Sequence, residues 1–376
     1  MSYSDYGVIG LGGMGSAALM HLALAGKNVT GLELLQSPHD MGSSHGETRI
    51  YRKLYYEHPD YVPMLLDAER QWLELNDQSS ERLFYPAACF SISRPESPVF
   101  SGALESGQKY KLKHKVLNRE TIGGVVPGMI MPEGYSCCFD PEAGVVVPEA
   151  AIRTQLKIAE KHGAAIHQNT KVKSVNPKKN RVEVETDSGT FTFGTLVLTA
   201  GAWTAKLVPG LDGYLKPVRT VMHFFEISDK LKQSSILPTF ILENDEGESS
   251  YGLFDPQMTS VKGGVHYSLN EEKIDPDTLN RDIIPGEEKA FKEFLKAIFG
   301  DEIGAYMRSK VCMYTHSPDE QFIMDTMEDG LIVYAAGFSG HGFKFCPVIG
   351  EILKDMALGE QTKYNTDFLK LTRLKK

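Results

Sequence analysis

The spacing of apolar residues changes several times along the chain, and each change marks an element. Tyr6–Gly10 is a short apolar run ending in glycine, Ser16–Ala25 is small and apolar at helical spacing, and Asn28–Leu35 is a second apolar run. Short apolar runs bounded by turn residues predict buried strands, and the longer stretch between them a helix. The chain therefore opens on a strand–turn–helix–strand unit. A polar loop rich in Gly, Ser and His covers Gln36 to Arg49. From about Pro59 the residues Val62, Leu65, Leu66, Ala68, Trp72 and Leu73 draw one amphipathic helix face. Strands and turns are expected from there to about Pro148.

A helix is predicted over Glu149–His162. Strands follow at Lys171–Val175, Val182–Glu185 and Thr190–Thr199, the last two joined by a turn at Asp187-Ser188-Gly189. From Val218 to Tyr314 the pattern alternates, with strands at Val218–Ile227, Tyr251–Phe254 and Ser260–Tyr267 and a helix near Glu287–Phe299. The end returns to a continuous apolar strand, Leu331–Ala336, then glycines, then a helix at Pro347–Leu358. Buried parallel strands at both ends and alternating strands between them predict a mixed α/β and α+β protein. We expect a Rossmann-like dinucleotide domain from residues 1–85, 147–215 and 316–376. A second domain, residues 86–146 and 216–315, would hold a large, mainly antiparallel sheet.

Composition narrows the class. With 376 residues, 41% hydrophobic and 24% charged, the chain is that of an ordinary globular protein with room for two domains. A net charge of −9 argues against nucleic acid as a partner. The five scattered cysteines show no CxxC pair, which suggests neither a disulfide framework nor a metal site and fits a reducing compartment. No apolar run reaches the ~18 residues of a membrane span, and the first strand begins too early for a signal peptide. A cytoplasmic protein, acting as a monomer, is expected.

The chemistry begins at Gly10, Gly12 and Gly15, which form GxGxxG between a strand and a helix, with Glu33 ending the next strand 18 residues after Gly15. In that pattern the first glycine makes the turn, the second lets backbone approach a pyrophosphate, and the third lets helix pack on strand. The helix N-terminus favours the phosphates, and the acid accepts from a ribose. FAD and NAD satisfy the motif equally. Gly337-Phe338-Ser339-Gly340-His341-Gly342-Phe343-Lys344, between another strand and helix, is a second glycine cluster that a nicotinamide cofactor leaves unexplained. A longer cofactor, with a flavin ring against that second turn, accounts for both.

Three segments in order, Ser43-Ser44-His45-Gly46-Glu47-Thr48-Arg49-Ile50-Tyr51-Arg52, Val311-Cys312-Met313-Tyr314-Thr315 and Gly337–Lys344, resemble the signatures of the monomeric sarcosine oxidase family. That family includes N-methyltryptophan, pipecolate and fructosyl-amino-acid oxidases, and the likeness runs from Val8 to about Phe368. It implies FAD as cofactor, held by Gly10, Gly12, Gly15, Glu33, Ser43, Thr48, Arg49, Val172, Gly337, Gly340, Gly342, Phe343 and Lys344. Cys312 matches the cysteine bonded covalently to the flavin 8α carbon, although a buried cysteine is otherwise a small hydrophobe. Arg49 and His45 match residues beside the flavin ring. Arg52 and Lys344 match the pair that grips the substrate carboxylate, where a guanidinium fork and a point charge suit the task. Tyr251, Tyr314 and His266 match pocket residues that position the amine. Lys262 matches the lysine credited with activating O₂, a fixed cation that stabilises developing superoxide.

The resemblance implies an oxidase of a secondary-amine amino acid, sarcosine-like, that yields an imine and H₂O₂. Ser44 and Lys53 stand where several sarcosine-type members have histidine, Glu47 replaces a common aspartate, and Val261–His266 departs locally from related strands. The first two variants look more like the pipecolate-oxidising branch. A cyclic imino acid, N-methyltryptophan or a fructosyl amino acid therefore stays open as substrate. The rival readings are an NAD-dependent imine reductase and a non-catalytic flavin-binding module.

Overall fold

A computed structural model describes residues 2–268 and 271–375 and contains two sheets. The first has eight strands. Its main path runs Ile323–Met327, Ile332–Ala336, Thr190–Leu198, Ser2–Ile9, Val29–Leu32 and Ala165–His167, with the hairpin Val172–Lys178/Arg181–Thr186 attached through Thr190–Leu198. Four of the five pairings along that path are parallel, and Ile323–Met327 with Ile332–Ala336 is antiparallel. Helices Gly13–Leu24, Pro148–Lys161 and Cys346–Leu358 lie together, the first between the other two. Small residues allow this closeness, since a Cβ at Gly350 would meet Ala17 Cβ at 2.5 Å. Ile9 is in register with both Leu198 and Leu32. The chain therefore leaves three adjacent strands side by side at Gly10, Thr199 and Glu33, where open parallel sheets place their crevice.

The second sheet has nine strands. Its path is Ile303–His316, Lys216–Ile227, Ser260–Tyr267, Ser249–Phe254, Pro238–Glu243, Phe84–Ser93, Ser136–Val146 and Arg49–Tyr51, with Lys115–Leu117 paired to Ser136–Val146. All pairings are antiparallel except that of Pro238–Glu243 with Phe84–Ser93. Helix Glu288–Phe299 buries Phe291, Leu295, Ile298 and Phe299 against Phe240 and Phe254. The strand Arg49–Tyr51 joins this sheet although it lies within residues 1–85.

Register decides what this sheet presents. Lys262 is opposite Phe224, Tyr251 opposite Gly264, Cys312 opposite Thr220, and Tyr314 opposite Val218. Directly paired residues share a face, and residues two apart on a strand share it too. Tyr251, Lys262, His266, Cys312 and Tyr314 consequently all stand on one face. A one-residue slip in any of these strands would turn its residues away.

Several elements differ from the sequence expectation. The first helix begins at Gly13, because the glycines form its first turn, and the second strand stops at Leu32, where Glu33 turns to bond backbone. Helix Pro98–Lys109, started by a Ser97 cap on Val99 N and Pro98 at its first position, interrupts a region expected to hold strands and turns. Strand Pro238–Glu243, with a proline at its first residue, was not expected.

Candidate active site

A cavity of about 710 Å³ opens at the crevice of the first sheet, within the ~300–1,000 Å³ range of cofactor sites. Gly10, Gly12, Glu33, Ser43, Arg49, Val172, Gly337, Gly340, Gly342 and Phe343 line it. Gly10 has φ +85° and would place a Cβ 2.6 Å from Thr199 O, and a Cβ on Gly15 would stand 1.8 Å from Gly10 O. Both are glycine because backbone occupies the space. Over Gly12 the nearest atom to such a Cβ is Ser44 Oγ at 3.4 Å, so the room there is open to a ligand. Glu33 Oε2 accepts from Leu11 N at 2.6 Å and Ser44 Oγ from Gly13 N at 3.1 Å. The second glycine turn closes the other wall, with Gly337 at φ +61° and Gly340 at φ +77°. A Cβ on Gly340 would meet the Tyr314 ring at 2.6 Å. Bare backbone at a helix N-terminus, an acid at the next strand's end and a second bare turn fit a dinucleotide with a further ring system.

A second cavity, of about 60 Å³, adjoins the first, and Arg49, Tyr314, Gly340 and Phe343 line both. Its other walls include Arg52, Tyr251, His266, Cys312 and Lys344. Arg52 is 2% exposed, donates to Leu54 O at 3.2 Å and pairs with the buried Glu57. Burial works against the Arg52 charge, but Glu57 outweighs it and the guanidinium stays protonated. For Glu57, burial is likewise outweighed by Arg52, which lowers its carboxyl to about 2. Lys344 Nζ donates to His341 O at 2.6 Å; burial and then Arg52 bring its pKa down to about 7. His266 meets the rings of Tyr251 and Tyr314 edge-on, at 6.1 and 5.5 Å between centroids. Burial holds it neutral, with a pKa of about 3, and pushes both tyrosines and the Cys312 thiol up. The cavity thus offers two cationic groups against neutral aromatic walls.

Lys262 lies behind these walls, 2% exposed. Its Nζ donates to Gly46 O at 2.9 Å and Thr48 O at 2.6 Å. Arg49 donates to the same Thr48 oxygen at 2.9 Å and to Ser43 O at 2.9 Å. Two cations therefore share one carbonyl. Burial, then Arg49, pulls the Lys262 pKa well below that of a free lysine. His45 is buried with neither ring nitrogen bonded, and burial lowers its pKa to about 3.

Residues 5–356 match the DAO family, described as FAD dependent oxidoreductase. The chain is 35% identical to a monomeric sarcosine oxidase of Bacillus sp. (strain B-0618), over 99% of this chain and 96% of that one. It is 32% identical to an N-methyl-L-tryptophan oxidase of Yersinia pestis (strain Pestoides F), over 99% of each. The chain belongs to the monomeric sarcosine oxidase family of FAD-dependent oxidoreductases. Solved structures share its fold: NikD, an amino acid oxidase essential for nikkomycin biosynthesis, has a TM-score of 0.85 at 20% identity, covering 98% of each chain. L-proline dehydrogenase from P. horikoshii has 0.85 at 21% identity, covering 99% and 98%.

Membership in this FAD family answers the NAD-dependent rival. Within this flavoenzyme, Gly10, Gly12, Glu33, Ser43, Arg49, Val172 and the Gly337–Phe343 turn come together around the large cavity, and Arg52, Tyr251, His266, Cys312, Tyr314 and Lys344 around the small one. Gly15 packs beneath the crevice, while His45, Thr48 and Lys262 sit behind Arg49 and line neither cavity. The variant positions are informative. Ser44 serves the helix N-terminus, and Glu47 faces outward to Arg308 at 2.7 Å. Lys53 pairs with Glu69 at 3.1 Å and Glu142 at 3.3 Å, away from both cavities. None of the three lines the small cavity. Sequence reading missed Trp203, Lys206 and Asp277 on the rim of the large cavity, where Trp203 Nε1 donates to Asp277 at 2.7 Å. The Gly201 turn after an apolar strand was the local signal for Trp203 and Lys206, and Asp277 reaches them only through the fold. It also missed Glu57, five residues after Arg52, and His341, three before Lys344, whose nearness in sequence was the signal.

Proposed function

We propose that this enzyme oxidises the C–N bond of a small secondary-amine amino acid, sarcosine-like, with O₂ as acceptor and H₂O₂ as product. The observation that carries the reading is the small cavity, where Arg52 and Lys344 converge beside neutral Tyr251, Tyr314 and His266, directly against the cofactor cavity. The two cations suit a carboxylate. The neutral aromatic walls suit an uncharged amine, since a protonated one would bring a third cation. Bound FAD would supply the redox chemistry, accepting a hydride equivalent from the carbon next to nitrogen and passing electrons to O₂. Lys262 and Arg49 provide fixed positive charge where superoxide develops. Cys312, on the wall of the small cavity with Arg49 among its neighbours, would hold the cofactor covalently through a thioether to its 8α carbon.

A cavity of about 60 Å³ suits an N-methyl or ring amino acid better than an indole or a sugar conjugate. The enzyme acts as a cytoplasmic monomer in this reading. A peroxide-coupled screen of sarcosine, pipecolate and proline, N-methyltryptophan and fructosyl amino acids tests it. Peroxide from the small N-alkyl or ring amino acids is the expected result. Peroxide from the bulky groups alone overturns the size argument, and a yellow protein that oxidises none of them overturns the oxidase reading in favour of a flavin-binding module.

A further inference from the structure

We propose that Glu149 is the positioning residue of the oxygen-reactive cation, holding the Gly46–Thr48 turn from behind so that its carbonyls grip Lys262. The inference rests on the role given to Lys262 above and extends it to a residue on a helix of the other sheet's layer. Glu149 opens helix Pro148–Lys161. Its Oε1 accepts from Gly46 N at 2.7 Å and from Glu47 N at 3.1 Å, and its Oε2 is sealed from solvent with no hydrogen-bond partner. On the opposite side, Gly46 O and Thr48 O receive the Lys262 ammonium, and Thr48 O also receives Arg49.

One peptide unit therefore stands between an anion and a cation. The Gly46–Glu47 peptide turns its N–H to Glu149 and its C=O to Lys262. In a trans peptide these groups point in opposite directions, so its dipole lies along the line from carboxylate to ammonium and favours both charges. The turn needs such an anchor. Gly46 has φ +99° and Glu47 has φ +75°, a region costly for a side-chain-bearing residue unless its surroundings hold it there. A Cβ on Gly46 would stand 2.5 Å from Met222, so the turn cannot relax toward the second sheet. Two successive N–H groups in such a turn form an anion cradle, and Glu149 fills it.

The charge balance has the same sense. Facing Lys262 are Arg49 and the neutral His45 from the loop, Glu47 from the turn, Cys312 from the strand beyond Lys216–Ile227 and Glu149 from the helix. Burial and Arg49 disfavour its protonation, and Glu47 and Glu149 favour it. Glu47 is exposed and spent on Arg308. Glu149 is left as the sheltered anion.

The test uses FAD-loaded enzyme carrying ¹³Cε-labelled lysine. The Lys262 resonance is identified by its loss in Lys262→Met, and its titration is followed in wild type, Glu149→Gln and Glu149→Asp. Bond lengths place the two charges about 8 Å apart, so at an effective dielectric near 20 Glu149→Gln should move the Lys262 titration down by about 1.5 pH units. Glu149→Asp, which keeps the charge, should largely restore it. In stopped flow, Lys262→Met should slow reoxidation by O₂ roughly 10²–10³-fold. Glu149→Gln should slow it roughly tenfold, leave anaerobic reduction by substrate nearly unchanged, and add nothing in the Lys262→Met background. An unmoved Lys262 titration in a folded Glu149→Gln enzyme overturns the proposal, as does an equal loss with and without Lys262. If Lys262→Met leaves reoxidation untouched, the oxygen role of Lys262 fails instead, and the titration still decides whether Glu149 holds it.

Discussion

Replacing Lys344 by Met tests the carboxylate site with a pH signature that no other residue of the small cavity can imitate. The substitution keeps length and apolar stem and removes the charge. In the folded protein the Lys344 pKa is about 7, while His266 and His341 titrate at about 3 and 4 and burial pushes Tyr251, Tyr314 and Cys312 up. A lysine is charged below its pKa. Its attraction for a carboxylate is therefore complete in acid and lost as pH rises through about 7. Coulomb energy for unit charges ~4 Å apart is about 4 kcal/mol at an effective dielectric near 20. Half of that is about 30-fold in affinity and all of it about 10³-fold. The assay is the dissociation constant of propionate, which has no amine to titrate, read from the flavin absorbance between pH 5.5 and 9. Wild type should bind with constant affinity below about pH 6 and weaken up to tenfold per pH unit above 7. Lys344→Met should bind roughly 30- to 1,000-fold more weakly at pH 6, show no pH dependence, and approach wild type at pH 9. A wild-type constant that is flat across this range, or a variant that binds equally at pH 6, refutes the assignment.

Acid-precipitated wild-type protein should keep its yellow colour in the pellet and Cys312→Ser should release it to the supernatant; a colourless wild-type pellet ends the covalent assignment. Gly15→Ala, whose Cβ would fall 1.8 Å from Gly10 O, should displace the glycine turn and, made in the Cys312→Ser background where the cofactor can exchange, weaken FAD affinity at least tenfold, measured by fluorescence titration; affinity equal to that of Cys312→Ser alone would show the turn is free to move. Stability should fall with acid. His45, His266 and His341 titrate at about 3, 3 and 4 in the folded chain and near 6.5 when unfolded, so unfolding takes up protons below about pH 6.5. Their contribution is complete above that pH and is lost as pH falls, down to about 4 for His341 and about 3 for His45 and His266, by up to about 1.4 kcal/mol per pH unit for each. Glu57, lowered to about 2, acts in the same sense below about pH 4.5. A Tm unchanged between pH 7 and 5 would contradict the buried neutral histidines.

The N-terminal strand–helix–strand unit could be read without coordinates because it is local. Gly15 answers to backbone five residues away, at Gly10 O, and the apolar runs that bury Ile9 and Leu32 lie within one stretch of chain, although Gly10 itself meets Thr199 O of a distant strand. The alternating strands of the second sheet were readable for the same reason. What the sequence could not contain is pairing. Arg49–Tyr51 joins the second sheet, Pro238–Glu243 runs parallel to Phe84–Ser93, and the register that puts Tyr251, Lys262, His266, Cys312 and Tyr314 on one face is a property of four strands together. Motif resemblance named Arg52, Lys344 and Lys262, but their charge states depend on burial and on partners that only folding brings against them. Glu57 holds Arg52, burial beside Arg52 brings Lys344 to about 7, and Lys262 is gripped by carbonyls more than 200 residues away, at Gly46 and Thr48. Glu149, a helix-opening acid in sequence, acquires its place only because folding seats it behind that turn. Spacing along the chain records which residues could fill a turn or a face. Desolvation and partner charge, which set what those residues do, exist only once the two sheets are packed.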